Sequence, residues 1–201
     1  MQDFPTIKTE RLLLRKICKL DTPAILDIFS REEVTEHYDC YPFTDESQAS
    51  NWVNWNISAY EDKGCKGFRW AISLLDRPEQ LVGSCGIHSV NPKFHSLEVG
   101  YELHPNFWGK GIATEAVAAV IKHCFTHDFP VRINRIAATT DIVSPQSVSV
   151  LSKLGFKEEG VLREYGFWKD TFHDVRLYSL LRKEWALNKA FKSDAEKAGA
   201  L

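Results

Sequence analysis

Two glycines separated by one residue stand where a predicted strand gives way to a predicted helix. Between Leu97 and Leu103 apolar and polar residues alternate, which predicts a strand. A Pro-Asn pair breaks this strand, and apolar residues recur at helical spacing from Lys110 onward. Gly109 and Gly111 lie between the two elements and leave backbone amides uncovered. Amides at a helix N-terminus point outward and the helix dipole favours an anion, so this loop could hold phosphate groups.

Two common phosphate-binding patterns do not fit the loop. The G-x-x-x-x-G-K-[ST] pattern fails because no Ser or Thr follows a Gly-Lys pair at the required spacing. The dinucleotide pattern G-x-G-x-x-G fails because Thr114 stands where its last glycine should be. The alternative without a ligand is an ordinary strand–turn–helix corner whose glycines serve tight packing.

A second segment has the punctuation of a helix followed by a strand. Ser144 could cap this helix, Pro145 suits its first position, and Gly155 supplies a left-handed stop. Ser147 falls in the first turn of the helix. Its hydroxyl could donate a proton in a reaction or simply bond to the backbone.

Carboxylates and imidazoles near the first segment could move protons. Glu98 and Glu102 lie four residues apart on the predicted strand and therefore share a face. His88 and His104 are further candidates, because an unperturbed imidazole titrates at about pH 6.5. His104 adjoins the glycine loop, which favours contact with an anion over catalysis. Each carboxylate could equally be an exposed edge residue.

Composition excludes several classes of protein. The chain of 201 residues has a net charge of −2, which provides no basic surface for nucleic acid or an anionic membrane. No apolar run is long enough to span a bilayer, and the first residues lack a secretory signal. The histidines never form H-E-x-x-H and the cysteines never form C-x-x-C, so no metal site is expected. Five scattered cysteines are typical of reduced thiols and predict a cytoplasmic protein: Cys18, Cys40, Cys65, Cys85 and Cys124.

The remaining pattern predicts one α/β domain over residues 7–183, followed by a C-terminal tail over 184–201. Residues 188–201 are rich in Ala, Lys and Glu, which indicates a frayed helix or disorder. Strands are predicted at 10–17, 68–75, 80–90, 97–103, 132–139, 156–166 and 172–181. Helices are predicted at 32–38, 110–126 and 144–153, with two more beginning after Asp21 and Thr44.

Five segments in this order resemble the GNAT N-acetyltransferases, and most of all the branch with the ribosomal-protein N-terminal acetyltransferases of the RimJ/RimL type. The segments are 9–15, 83–87, 100–116, 147–160 and 173–178. The family's loop has the form Gln/Arg-x-x-Gly-x-Gly/Ala, and residues 108–113 match its last two fixed points. Trp108 stands where the family usually has Gln or Arg. The resemblance covers nearly the whole chain.

This resemblance implies a mixed, mostly antiparallel splayed sheet of about seven strands flanked by helices. Acetyl-CoA, the co-substrate, would lie in the opening between the fourth and fifth strands, and no metal would take part. The loop amides would wrap its pyrophosphate, and the fourth strand would pair with its pantetheine arm. The residues expected to bind it are Leu103, His104, Trp108, Gly109, Lys110, Gly111, Ile112, Ala113, Thr114 and Ser144. Ser144 replaces the family's Asn at its position, which puts that contact in doubt.

The resemblance also suggests catalytic roles. Ser147 occupies the position of a proton donor for the departing thiolate. The ribosomal enzymes carry a Glu that acts as the base where this chain has Gly166. Glu164 is two residues away, which on a strand is the same face, so it could contact the substrate. We expect Glu102 to be the base, because it lies nearer the end of the strand where the thioester should sit. Helical spacing makes some of the nearby aromatic residues core, and the set is Tyr38, Tyr41, Phe43, Trp52 and Trp55. Tyr41 and Phe43, which lie in the loop, are the ones expected to contact the acceptor.

Two functions follow from these residues. The first is transfer of the acetyl group of acetyl-CoA to a primary amine, either a protein N-terminal α-amine or a small molecule, by direct attack on the thioester. The second is a non-catalytic acyl-CoA-binding sensor or interaction module, which the missing Glu at Gly166 favours. The intact loop and Ser147 favour the enzyme. A homodimer is compatible with the sequence but is not required by it.

Overall fold

The computed structural model describes residues 4–61, 67–127 and 131–187, which build one eight-stranded sheet in the order β1-β2-β3-β4-β5-β6-β8-β7. The strands are β1 (Ile7–Lys8), β2 (Leu12–Lys16), β3 (Phe68–Leu74), β4 (Arg77–Asn91), β5 (Ser96–Leu103), β6 (Arg135–Asp141), β7 (Lys157–Trp168) and β8 (Thr171–Leu181). The helices are α1 (Thr22–Phe29), α2 (Glu32–Thr35), α3 (Glu46–Ala59), α4 (Ile112–Thr126), α5 (Pro145–Lys153) and α6 (Arg182–Leu187). The short β1 and α6 were not predicted.

The sheet opens between β5 and β6, as the predicted splayed sheet requires. These two strands are parallel and pair only from Ser96 to Glu98 on β5. Beyond that point β5 stays paired with β4, and β6 stays paired with β8. One edge of residues 99–103 therefore faces one edge of residues 138–141 without a strand between them. Only the strand count differs from the expectation, because β1 adds an eighth.

Helices cover both faces of the sheet, and the sheet lies between two hydrophobic clusters. The larger cluster includes Val99 and Leu103 of β5 together with the apolar stripe of α4. The smaller cluster joins α1 and α3 to the other face through residues such as Phe29, Val53 and Ala71. Alternation along β5 therefore sends odd-numbered side chains towards α4 and even-numbered side chains towards α1 and α3.

Helix caps differ from the predictions where a stronger partner is close. Asp45, not Thr44, caps α3, since its carboxylate accepts the backbone N–H groups of Ser47 and Gln48. Asp21 does precede α1 but makes no side-chain cap, because its carboxylate binds the Arg15 guanidinium at 2.7 Å. Ser144 also precedes α5 without a capping hydrogen bond from its side chain.

The C-terminal part of the domain extends beyond the predicted strand β8. In α6 the Trp185 ring packs on Phe125 with 5.3 Å between centroids, so this helix joins the larger cluster. The predicted tail thus begins inside a helix, and residues 188–201 lie outside the described part of the chain. The domain boundary stays a prediction. Over the described residues, no helix is long and apolar enough to cross a membrane.

Candidate active site

The glycine loop has the geometry of an anion-binding helix N-terminus. Gly109 and Gly111 have φ values of 71° and 75°, in the left-handed region that other residues avoid. Gly111 is the N-cap of α4, and the first helical bond runs from the Glu115 N–H to the Gly111 carbonyl at 3.0 Å. The amides of Ile112, Ala113 and Thr114 therefore have no helical acceptor. The helix begins at Ile112 rather than Lys110, because a left-handed residue cannot lie inside it.

Several side chains of the predicted coenzyme-binding set hold the loop in place. The Trp108 indole donates a hydrogen bond to the Leu103 carbonyl at 2.9 Å and so ties the loop to β5. Ile112 and Leu103 bury their side chains in the larger cluster. The Lys110 ammonium lies 5.6 Å from the centre of the Phe107 ring. What the loop offers a ligand is mainly backbone.

His104 serves the turn before the loop. Its Nδ1 accepts the Asn106 N–H at 3.1 Å, and its Nε2 lies 3.1 Å from the Asp27 carboxylate. We assign the ring proton to Nε2, because Nδ1 is used as an acceptor. The side chain is 10% exposed, so the imidazole is committed to this turn.

Beside the opening, β6 carries a buried polar group whose lack of a partner among the described residues the sequence did not reveal. Thr140 lies on β6 beyond the part paired with β5, and its side chain is buried. Its Oγ1 has no hydrogen-bond partner among the described residues. Buried hydroxyls usually have a partner, so this atom and the free strand edges fit an extended polar ligand between the strands.

Ser147 lies across the opening from β5 and is held by Tyr101. The Tyr101 hydroxyl lies 2.9 Å from Ser147 Oγ and also donates to the Ser147 carbonyl at 3.2 Å. Burial raises the pKa of the Tyr101 phenol, so the ring keeps its proton at neutral pH. A strand and a helix on either side of the opening are thus joined through two hydroxyl groups.

Ser144 lies three residues before Ser147 and is 9% exposed. It lines a surface cavity of about 450 Å³ with Val148 and with Glu158, Arg176 and Tyr178 from β7 and β8. A contact from Ser144 to the coenzyme stays a prediction.

Glu102 is enclosed by a buried polar network on the α1–α3 side of the sheet. One carboxylate oxygen forms a salt bridge with Arg69 and accepts the Tyr38 hydroxyl at 2.6 Å. The other oxygen accepts the Ser84 hydroxyl. Arg69 reaches this network across Gly86, where an added Cβ would lie 2.4 Å from the arginine Cγ. Both oxygens of Glu102 are engaged, which argues against the role of base that we expected for it.

Glu98 and His88 form a more open pair on the same face. Glu98 Oε2 lies 4.0 Å from His88 Nδ1, and the two side chains are 25% and 47% exposed. Burial lowers the pKa of His88 below its ordinary value of 6.5, Glu98 raises it, and Arg69 lowers it. A Cβ placed on Gly100 would lie 3.5 Å from His88 Nε2 and 3.6 Å from Arg69 Nη1. These groups therefore border the backbone of β5 just where the sheet opens.

The structure separates the three residues expected to contact the acceptor. The Phe43 ring stacks on Phe29 at 5.0 Å between centroids, so Phe43 contributes to packing. Tyr41 is exposed, and its hydroxyl donates to the Asp170 carboxylate at 2.8 Å. Glu164 lies in a bulge of β7 with φ of 49°, and the bulge breaks the alternation on which its prediction depended.

The tip of the β7–β8 hairpin reaches the segment between α2 and α3. Lys169 Nζ donates to the carbonyls of Thr35 at 2.6 Å and Glu36 at 3.2 Å, and Asp170 accepts from Tyr41. Both turn residues have positive φ, 49° for Lys169 and 61° for Asp170. Such a turn is unfavourable for non-glycine residues unless its surroundings hold it. The hairpin tip is therefore fixed to residues 35–41, which run from the end of α2 into the loop before α3.

Comparison with known proteins adds a family to this geometry. The family described as acetyltransferase (GNAT) domain matches residues 11–157. The chain belongs to the GNAT acetyltransferase family. An N-acetyltransferase of Bacillus subtilis strain 168 named YoaA is 34% identical over 179 residues, which cover 89% of this chain and 98% of YoaA. GNAT membership, which the sequence predicted, makes the protein an acetyl-CoA-dependent acetyltransferase.

Ribosomal-protein acetyltransferases are among the more distant matches of this GNAT protein. The [ribosomal protein uS5]-alanine N-acetyltransferase of Escherichia coli strain K12 is 24% identical over 189 residues, covering 89% of this chain and 92% of that enzyme. The structure of RimL, a ribosomal L7/L12 α-N-protein acetyltransferase in complex with coenzyme A, has a TM-score of 0.75 at 19% identity. It covers 90% of this chain and 99% of RimL, and shows that the fold is the same. Among the described residues, no group of three or more His, Cys, Asp or Glu could hold a metal ion.

Proposed function

We propose that the protein transfers the acetyl group of acetyl-CoA to a primary amine by direct attack of the amine on the thioester. The observation that carries the proposal is the opening between β5 and β6, which leads to the free amides at the start of α4. Acetyl-CoA supplies the thioester and the leaving thiolate. Every other requirement must be met by residues of this chain: binding of phosphates, removal of the amine proton and protonation of the thiolate.

The residues proposed to hold the coenzyme follow the opening from end to end. The amides of residues 112–114 would bind the pyrophosphate, because they combine free N–H groups with the positive end of the α4 dipole. The unpaired edge of β5 at residues 99–103 would bond to the amides of the pantetheine arm. Thr140 Oγ1, a buried hydroxyl on β6 beside the opening, would be a further donor or acceptor for the coenzyme.

On the thiolate side of the reaction, we propose that Ser147 delivers the proton. Tyr101 holds Ser147 Oγ through a hydrogen bond of 2.9 Å and fixes the orientation of the serine hydroxyl. Tyr101 is itself a neutral phenol that keeps its proton, so it orients Ser147 without taking part in the proton transfer. The alternative, that Ser147 only bonds to the backbone, is tested below.

On the amine side, Glu98 and His88 replace Glu102 as the proposed proton acceptors. Glu102 is committed to Arg69, Tyr38 and Ser84, whereas Glu98 is partly exposed at the point where the strands separate. The lowered pKa of His88 keeps its imidazole neutral at pH 7, and a neutral imidazole can accept a proton. The pair could take the amine proton directly or through a water molecule.

The acceptor is either a protein N-terminal α-amine or a small-molecule amine. The relatives that act on ribosomal proteins support the first class. This chain has Gly166 where those relatives carry the Glu that acts as base, which weakens the inference of a ribosomal-protein substrate. We propose that the amine enters beside the hairpin tip, whose contacts with residues 35–41 would favour a slender acceptor, such as a chain terminus. A cytoplasmic location, a homodimer and the absence of nucleic-acid partners stay predictions.

Thiol release separates an enzyme from a binding module. The protein would be incubated with acetyl-CoA and a panel of N-terminal peptides and small amines, while free coenzyme A is followed with a thiol reagent. We expect release that depends on the amine and saturates with it. Saturable binding of acetyl-CoA without release above background for any amine would instead support a non-catalytic acyl-CoA-binding module.

A further inference from the structure

Arg11 ends the Thr-Glu-Arg segment and joins the strand β2 to the glycine loop. Its Nε donates to Glu115 Oε2 at 2.7 Å, and its Nη2 lies 2.7 Å from the same oxygen. Its Nη1 donates to the Lys110 carbonyl at 3.0 Å. Both ends of this arrangement belong to the loop or to the first turn of α4, although Arg11 lies about 100 positions earlier in the chain.

The Arg11 side chain is held from several directions and cannot easily move away. Its backbone N–H donates to Glu115 Oε1 at 3.0 Å, and its carbonyl accepts the Leu75 N–H at 2.9 Å. Thr9 also donates to Glu115 Oε1, at 2.6 Å. These bonds to the carboxylate outweigh its desolvation and lower the pKa of Glu115, so Glu115 is ionised at neutral pH and keeps its partner in place.

The guanidinium still has hydrogen-bonding capacity on the side of the loop. It carries five N–H groups, and the contacts above use three of them. Among the described residues, no acceptor is found for the other two, and the side chain is 49% exposed. Nη2 lies 3.5 Å from the position that a Cβ would take on Gly111, the N-cap of α4. A fixed cation with free donors thus lies beside the proposed phosphate-binding amides.

We propose that Arg11 binds a phosphate of the coenzyme and supplies the charge that the loop lacks at Trp108. Trp108 uses its indole N–H on the Leu103 carbonyl and brings no cation to the loop. Arg11 provides the planar, bidentate donor suited to phosphate oxygens from a different part of the chain. The proposal rests on the proposed function, since it adds a residue to that coenzyme site. Its ligand chemistry is a phosphate ester, either the pyrophosphate or the ribose 3′-phosphate.

The test measures binding by isothermal titration calorimetry for Arg11→Gln and for Arg135→Gln. Arg135 is a matched control, because it is also an arginine in an ion pair, with Glu159, and lies on β6 away from the loop. Both variants change the net charge equally. Coenzyme A, 3′-dephospho-coenzyme A and pantetheine are titrated at low and high salt. We expect Arg11→Gln to weaken coenzyme A binding about tenfold at low salt and less at high salt, as for the loss of one charged contact.

The ligand series identifies the phosphate. A loss that persists with 3′-dephospho-coenzyme A places Arg11 on the pyrophosphate, and a loss that disappears places it on the 3′-phosphate. Pantetheine should bind the wild type and Arg11→Gln equally. Equal loss for pantetheine, or coenzyme A binding within twofold of the wild type, would overturn the proposal while leaving the proposed function intact. No saturable binding of coenzyme A by the wild type would overturn both.

Glu115→Gln distinguishes a phosphate contact from support of the loop. Glu115→Gln loosens the contacts that hold Arg11 but leaves the Arg11 charge in place. The coenzyme A affinity of this variant should therefore retain the salt dependence of the wild type. Arg11→Gln should show a weaker salt dependence. If both variants lose affinity equally and with the same salt dependence, Arg11 only supports the loop. Thermal unfolding of each variant confirms that the fold is intact, and Glu115→Gln alone decides the point if Arg11→Gln does not fold.

Discussion

The Tyr101 hydroxyl lies 2.9 Å from Ser147 Oγ, so that a side chain of β5 meets the first turn of α5 across the open part of the sheet. This contact joins the two elements between which the thioester is proposed to lie. It also distinguishes Ser147 from an ordinary first-turn serine, whose hydroxyl would bond to its own helix.

Ser147→Ala should lower kcat at least tenfold and leave the affinity for acetyl-CoA nearly unchanged. The variant removes a proton donor that acts only as the thiolate leaves, and such donors contribute about 10²- to 10⁴-fold. Tyr101→Phe should have a smaller effect in the same direction, because Ser147 then loses only its orienting partner. Steady-state kinetics and calorimetry with acetyl-CoA measure both quantities. An unchanged kcat for Ser147→Ala would remove Ser147 from the mechanism.

Glu98→Gln should impair catalysis, whereas Glu102→Gln should impair the stability of the fold. Glu98→Gln should lower kcat with little change in Tm, since Glu98 is partly exposed and has no buried ion-pair partner in the part of the chain that the structure describes. Glu102→Gln should destabilise the fold by about 3 kcal/mol or more, because it leaves the Arg69 charge in a buried site without its counter-ion. Thermal or denaturant unfolding and kinetics on the same two samples make the comparison. Full activity of Glu98→Gln beside an inactive but stable Glu102→Gln would restore Glu102 as the base.

The difference between these two glutamates shows where sequence reasoning reaches its limit. The loop at Gly109 and Gly111 could be predicted, because a change of period and a pair of glycines are local features. The partner of Glu102 could not, since Arg69 lies 33 positions away and reaches it only through the register of β3, β4 and β5. The face occupied by Glu102 was predicted correctly from alternation, but its engagement with Arg69 depends on Gly86 leaving room.

Two other features were beyond local patterns for related reasons. A bulge between Leu162 and Gly166 puts Glu164 out of the alternation used to place it, and nothing in that segment marks the bulge. Thr140 has no motif, and its significance comes only from being buried without a partner beside the opening. The fold was easier, since the strands, the long helices and the splayed sheet follow from periodicity, punctuation and the resemblance to the family.

The pH dependence of kcat/KM should report the protonation of His88. Its pKa in the folded protein lies below 6.5, so the neutral form that accepts a proton predominates at pH 7. As the pH falls through that pKa the imidazole gains a proton, and kcat/KM should fall with an apparent midpoint below 6.5. His88→Gln should remove this acidic limb, leaving a lower rate that changes less with pH. An acidic limb that persists unaltered in His88→Gln would assign it to another group.

The lowered pKa of His88 should also make the stability of the fold depend on pH. The unfolded chain binds a proton at His88 at higher pH than the folded chain does, so the free energy of unfolding should decrease as the pH falls through 6.5. In His88→Gln this part of the decrease should be absent. Denaturant unfolding of the wild type and the variant between pH 5 and pH 8 measures this pH dependence, because that range brackets the ordinary titration of histidine.

The bond between Tyr41 and Asp170 should control the acceptor and not the coenzyme. It fixes the hairpin tip to the loop before α3, on the side where the amine is proposed to enter. Tyr41→Phe and Asp170→Ala each remove the same hydrogen bond, so each should raise the KM for the acceptor by about three- to tenfold. The KM for acetyl-CoA should not change.

Asp170→Asn keeps an acceptor oxygen and tolerates the positive φ of this position, so it is the matched control. The double variant should be no worse than either single variant, because both act through one contact. Additive effects in the double variant, or an equal rise in the KM for acetyl-CoA, would show that the hairpin tip does not act on the acceptor through this bond.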